Sequence, residues 1–143
     1  MLDIQFQPGS AIIAAVLVYS ADGTHKRYLD FIIDTGGTSM MISKYALAKL
    51  GYTLFNKSTT QSLGAGGAFF ANICTLTHFH FCGLSFKNYP VKVWNAPQNH
   101  HVVGTMGMDI LRHFNIHINT DTCITTITRN NAIKWKARVT RRL

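Results

Sequence analysis

Turn-forming residues recur so closely along this 143-residue chain that almost no stretch is left for a long helix. Ala11–Tyr19 is an apolar run rich in Ile and Val, and Asp22-Gly23 follows as a strong two-residue turn signal. Lys26–Ile33 then reads as the returning strand of a hairpin. Asp34-Thr35-Gly36-Gly37 interrupts, and Thr38–Ile42 resumes an extended pattern. Ser43 is a good N-cap and Gly51 a good residue just past a helix end, so Lys44–Leu50 reads as one short helix. From Ser58 to Cys82 the chain reads as a long hairpin whose turn is Gly64-Ala65-Gly66-Gly67. In its second arm Thr75, Thr77, Phe79 and Phe81 alternate with Leu76, His78, His80 and Cys82, the period of a strand. Tyr89–Trp94 is a further strand and Asn95–His101 a loop. Met108–Phe114 allows one or two helical turns, and Ile116–Ile118, Cys123–Thr128 and Ile133–Val139 are strand-like. The sum is an all-β or mostly β barrel or sandwich with one or two short helices.

Composition narrows the class. Hydrophobic residues make up 47% and charged residues 14%, the balance of a chain that buries a core rather than staying disordered. The length suits one domain, read as residues 1–128, with a basic terminal strand or tail at 129–143. That tail holds Arg129, Lys134, Lys136, Arg138, Arg141 and Arg142 and no acid, much of the net charge of +8. Trp135 is its only aromatic residue and no nucleic-acid motif accompanies it, so a solvated end is expected rather than a nucleic-acid partner. Three cysteines at 74, 82 and 123 form no disulfide framework. Ala11–Tyr19 is far short of the ~20 residues a membrane-spanning helix needs, so no membrane span is expected. With no signal peptide visible either, the expected location is cytoplasmic.

The chemistry concentrates at Phe31-Ile32-Ile33-Asp34-Thr35-Gly36. An acid directly after three large apolar residues is costly if buried without purpose. Gly36 lets the backbone turn tightly beneath it. The pattern presents a carboxylate at the end of a core strand.

With its context, Phe31–Ser43 (FIIDTGGTSMMIS) resembles the active-site loop of retropepsin-like aspartic proteases, in the single-domain cellular and bacterial branch. Leu63–Phe70 (LGAGGAFF) resembles that family's glycine-rich flap, and Thr105–Phe114 (TMGMDILRHF) its second signature. The resemblance runs from about Ala11 to Thr128. Three features depart from it. Thr105 is less apolar than the pattern prefers. Gly37 stands where Ala or Ser is usual, and Met108-Asp109 follows Gly107 in place of the retroviral Arg-Asp or Arg-Asn.

The resemblance implies a peptide hydrolase in which two aspartates share one proton. Only Asp34 is followed by hydroxyl-Gly, so a monomer holds half a site and a symmetric homodimer would supply two copies. Asp34 is then the expected catalytic residue, with Thr35 and Gly36 forming the active-site loop and Thr35 holding the partner's loop. Gly64, Ala65, Gly66 and Gly67 form the expected flap over an extended peptide or protein substrate. The dimer interface is expected to include the Asp34–Gly37 loops and a terminal strand, Cys123–Thr128 or Ile133–Val139. No cofactor is implied.

Two alternatives stand beside this reading. One is a catalytically silent dimerisation or peptide-binding module of the same fold. The other takes Ile33–Thr38 (IDTGGT), which also resembles the phosphate-binding turn of sugar kinases and actin-like ATPases, as a nucleotide site. Such folds close two lobes over ATP and need a much longer chain. A metal is a separate question. Cys74, His78, His80 and Cys82 would share one face of a regular strand. A flat strand cannot wrap a tetrahedral ion unaided, and the spacing matches no zinc motif, so no metal is expected.

Overall fold

The computed structural model describes residues 1–54, 59–64, 66–95 and 101–130. The expected strand Ile133–Val139, almost all of the basic tail, Ala65 and most of the Asn95–His101 loop lie outside the described residues. The strands are β1 (Leu2–Gln5), β2 (Ile13–Tyr19), β3 (Lys26–Ile33), β4 (Met41–Ser43), β5 (Thr59–Gly64), β6 (Gly67–Phe81), β7 (Leu84–Trp94), β8 (Val102–Met106), β9 (Phe114–Asn119) and β10 (Ile124–Arg129). Two short helices, α1 (Lys44–Lys49) and α2 (Met108–Leu111), complete the set.

The strands run β2-β3-β8-β4-β7-β6-β5, and an additional β2–β6 pairing closes the row from β2 to β6 into a barrel. The closing pairs are Leu17↔His80 and Val18↔Phe79. The fold is mostly β, as the sequence implied. A small separate sheet, β1-β10-β9, carries the N-terminal strand. Phe31, Met40, Ile42, Leu47, Leu76, Phe79, Met106 and Ile110 are wholly buried in one hydrophobic core. Each such side chain contributes about 1.5–3 kcal/mol by leaving water. Helix α1 begins where expected, with Ser43 accepting from the Tyr45 amide at 3.2 Å. Among the described residues no helix is long and apolar enough to cross a membrane.

The structure adds elements to those expected and corrects others. Leu2–Gln5 is a strand, paired with β10 from Leu2↔Ile127 to Gln5↔Ile124. The strand before α2 starts at Val102, and the helix ends at Leu111, so Phe114 opens β9. The Tyr89–Trp94 strand is the far half of β7, which leaves β6 through a tight turn at Cys82-Gly83 with φ of 45° and 80°. The largest correction concerns β6. Cys74 and Leu76 are buried, and so are Phe79 and Phe81, so the inward set switches from even to odd residues at Thr77. The cause is Tyr52. Its hydroxyl accepts from the Thr77 amide at 3.1 Å and donates to the Tyr19 carbonyl at 2.8 Å, where the ladder to β7 skips a pair. Cys74, His78, His80 and Cys82 therefore share no common face.

Candidate active site

The chain leaves β3 at the buried Ile33, and Asp34 follows at once. The Asp34 amide donates to the Met106 carbonyl of β8 at 3.0 Å, so the acid is fixed to the neighbouring strand before the loop begins. The loop then folds on its own aspartate. Oδ1 of Asp34 accepts from the amides of Gly36 at 3.2 Å and Gly37 at 3.0 Å, and the Gly37 amide also lies 3.1 Å from the Asp34 carbonyl. Oδ2 has no hydrogen-bond partner among the described residues. The carboxylate is half-buried, with one oxygen anchored and the other open to a proton, a water or a second carboxyl. Thr35 and Gly36 are exposed at the loop's crest.

Gly37 lies close under the Asp34 carboxylate. A Cβ there would stand 2.8 Å from Oδ2 of Asp34 and 3.1 Å from its Cγ. The two loop amides are committed to the Asp34 carboxylate, so they do not form the free amide nest that a phosphate turn requires.

The descending half of the loop is held from the other side. β8 runs parallel to β3 and antiparallel to β4, threading between the two strands that flank the loop. Gly104 of β8 lies against β4 so closely that a Cβ would overlap the Met41 carbonyl oxygen. Gly107 meets the loop backbone likewise, its absent Cβ 2.6 Å from the Ser39 nitrogen. Just beyond, the Met108 amide donates to the Gly37 carbonyl at 2.8 Å and the Asp109 amide to the Thr38 carbonyl at 3.2 Å.

The Asp109 carboxylate finishes the brace. Oδ2 accepts from the Met40 amide at 3.0 Å and the Tyr89 hydroxyl at 2.9 Å, while Oδ1 accepts from the Ile110 amide at 3.0 Å. Burial, and then the hydrogen bond to Asp109, push the Tyr89 hydroxyl above its ordinary pKa, so it stays a donor. Asp109 thus ties the end of the Asp34 loop to α2 and β7 with neutral donors. Met108, where a retroviral chain has Arg, is 42% exposed. Sequence reasoning placed Asp109 in the second signature without a role and missed Tyr89, a residue that looks like any strand aromatic.

The flap expectation falls on the hairpin of β5 and β6. Its register closes at Gly64↔Gly67, Gly67 has φ of 109°, and Gly66 is exposed with open space around it. No hydrogen bond among the described residues joins this tip to the Asp34 loop. The expected site residues therefore form two groups: Asp34, Thr35 and Gly36 in one loop, and the glycines of the hairpin tip in another. Among the described residues no three His, Cys, Asp or Glu side chains are grouped to hold a metal ion.

A family model described as aspartyl protease matches residues 19–110. No curated protein matches the chain. Among solved structures, a retropepsin-like aspartic protease from Rickettsia conorii superposes with a TM-score of 0.64 and 22% identity, covering 89% of this chain and 92% of its own. EIAV protease, complexed with the inhibitor HBY-793, gives a TM-score of 0.54 and 20% identity over 76% of this chain and 92% of its own. At those identities the two structures speak for the fold.

Proposed function

The chain belongs to the aspartyl protease family, and from that premise we propose that it is a homodimeric endopeptidase whose two Asp34 carboxylates, one per protomer, activate a water against the peptide bond. One observation carries the reading. The chain's single Asp-Thr-Gly stands on a loop braced by β8 and α2, with one carboxylate oxygen anchored and the other unpartnered among the described residues. Two such carboxylates facing each other share one proton, because like charges ~3 Å apart cannot both ionise. The ionised copy takes a proton from water as it attacks the scissile carbonyl, and the protonated copy donates a hydrogen bond to the carbonyl oxygen. Thr35 holds the partner's loop, and the hairpin tip at Gly64, Ala65, Gly66 and Gly67 closes over an extended peptide through main-chain hydrogen bonds.

The test joins an activity assay to a mass measurement. Sedimentation across roughly pH 3–7, an interval bracketing ordinary and raised carboxyl pKa values, should show a dimer wherever unfolded protein is cleaved. Mixing wild-type with Asp34→Asn chains should give heterodimers with little activity, since each site needs both copies. Full activity from a strictly monomeric species at high dilution removes the dimeric mechanism. A stable dimer that cleaves nothing supports the silent module instead.

A further inference from the structure

On the outer side of the barrel, at the end of β6 away from the hairpin tip, two imidazoles aim at one point. His78 Nε2 lies 2.7 Å from the Ser85 hydroxyl, and His80 Nδ1 lies 3.1 Å from the same oxygen. The two rings sit 4.3 Å apart between centroids. Tyr19 of β2 packs on both, stacked on His78 at 4.6 Å and tilted against His80 at 5.6 Å. The rings are thus oriented by a neighbouring strand. Ser85 stands across from His80 in the β6–β7 register.

The hydroxyl has one proton to give. It can donate to one ring nitrogen and must accept from the other, so one imidazole offers a lone pair at this point and the other an N–H. A cation seated between the two ring nitrogens and the hydroxyl oxygen would use both lone pairs, with the rings as the Nδ1–H tautomer at His78 and the Nε2–H tautomer at His80. We propose that His78 Nε2 and His80 Nδ1 chelate one divalent transition-metal ion of the Cu²⁺ and Zn²⁺ class, with Ser85 Oγ as a third, oxygen donor.

The surroundings select that class. Among the described residues no carboxylate contacts the two rings, so the hard cations Mg²⁺ and Ca²⁺ have no oxygen cage here. Two ammonium groups flank the site: Lys87 opposite His78 in register, and Lys26 with its nitrogen 5.7 Å from the Tyr19 ring centre. Their repulsion disfavours weakly bound ions and leaves those that bond strongly to imidazole, Cu²⁺ ahead of Zn²⁺. Cys74 is buried in the core and the Cys82 thiol points to the Ile127 carbonyl at 3.5 Å, so neither joins the site. Bound, the ion would clamp β6 to β7 beside the Leu17↔His80 pair that closes the barrel.

Calorimetric titration of the full chain with CuCl₂, ZnCl₂ and MgCl₂ in a non-chelating buffer tests this. One equivalent of Cu²⁺ should bind more tightly than Zn²⁺, with Mg²⁺ silent. Each of His78→Gln and His80→Gln should weaken that equivalent by more than about tenfold, since even partners outside the ligand shell cost that much. His113→Gln should leave it unchanged. Saturating Cu²⁺ should raise the melting temperature of the wild type and not of the two weakened variants. Ser85→Cys gives a gain in signal: a thiolate at the convergence point should tighten Zn²⁺ and produce a near-ultraviolet thiolate-to-Co²⁺ band absent from the wild type. Unchanged Cu²⁺ affinity in both Gln variants, Mg²⁺ binding as tight as Cu²⁺, or a Ser85→Cys chain without the Co²⁺ band would each overturn the site.

Discussion

The two ends of β3 each carry an aspartate on a turn, and the protein holds them in opposite ways. At the entry, Asp22 is satisfied within its own turn. Its Oδ1 accepts from the Ser20 hydroxyl at 2.7 Å, the Thr24 hydroxyl at 2.8 Å and the Thr24 amide at 3.0 Å. Ser20 in turn accepts from the His25 amide. At the exit, Asp34 receives two amides of its own loop on one oxygen, and the loop backbone is gripped by residues far away in sequence: Met106, Gly107, Met108 and Asp109. Asp-Gly-Thr closes a turn by itself, whereas Asp-Thr-Gly is positioned by tertiary structure. A carboxylate that must meet a substrate gains from the second arrangement, because a packed core holds geometry more strictly than an exposed turn.

Substituting the two acids gives the largest contrast. Asp34→Asn should lower proteolysis by about 10³-fold or more, since an amide cannot act as a base toward water. Asp22→Asn should leave the rate within about twofold, as expected of a surface change remote from the chemistry. Far-UV circular dichroism and dimer mass accompany the assay. Equal losses in the two variants would erase the distinction between the ends.

Next in size is the brace. Gly107→Ala places a methyl group 2.6 Å from the Ser39 nitrogen and 2.9 Å from its carbonyl carbon and oxygen. Backbone cannot step aside cheaply, so about 1–3 kcal/mol of stability should be lost, the usual cost of overpacking. The urea midpoint should fall and activity should fall with it. A midpoint equal to wild type would mean that β8 and the loop are less closely apposed than described.

Gly37→Ala probes the same loop from the other side, and the clash there is with a movable group. Oδ2 of Asp34 ends a rotatable side chain, so the fold should survive while the carboxylate turns. The rate should fall by up to about 10²-fold, the scale on which a misplaced catalytic group acts. The urea midpoint should hardly move, which separates this variant from Gly107→Ala. An unchanged kcat would show that the carboxylate works from another rotamer.

Much of this could be read from the sequence, and the failures share a cause. The hairpin around Asp22-Gly23, the Asp34 loop and helix α1 were legible because their signals are local: a turn pair, an apolar run into an acid, a cap. Asp34 could be singled out among six acids only because of the residues on both sides of it. The face switch of β6 was illegible, since nothing local marks Thr77, whose amide goes to the Tyr52 hydroxyl across twenty-five positions. β8 was hidden for a related reason. Gly104 looks like a strand breaker, yet the strand needs it there to pass β4 at backbone distance. Tyr89 carries no local mark at all, because its meaning comes from Asp109 on another element.

The smallest effect tests the entry turn by pH. The Thr24 amide, then the Ser20 and Thr24 hydroxyls, hold the Asp22 carboxyl at about 2, below its ordinary 3.8. A carboxyl whose pKa is lowered by folding contributes stability above the unfolded value, and that contribution is lost as pH falls through the folded value. The melting temperature of wild type should therefore exceed that of Asp22→Asn by a small, constant margin above about pH 5, and the margin should shrink from about pH 4 and vanish near pH 2. The group is fully exposed, so water competes for it and the margin stays small. A margin equal at both ends of that range would show that the turn is held by shape rather than by charge. The measurement also serves the other end of β3, because the acid assay of an aspartic protease enters the same range. Where wild type and Asp22→Asn lose activity along the same acid limb, the loss would belong to the proton that the proposed Asp34 pair shares. Where wild type alone changes slope, the entry turn has begun to loosen.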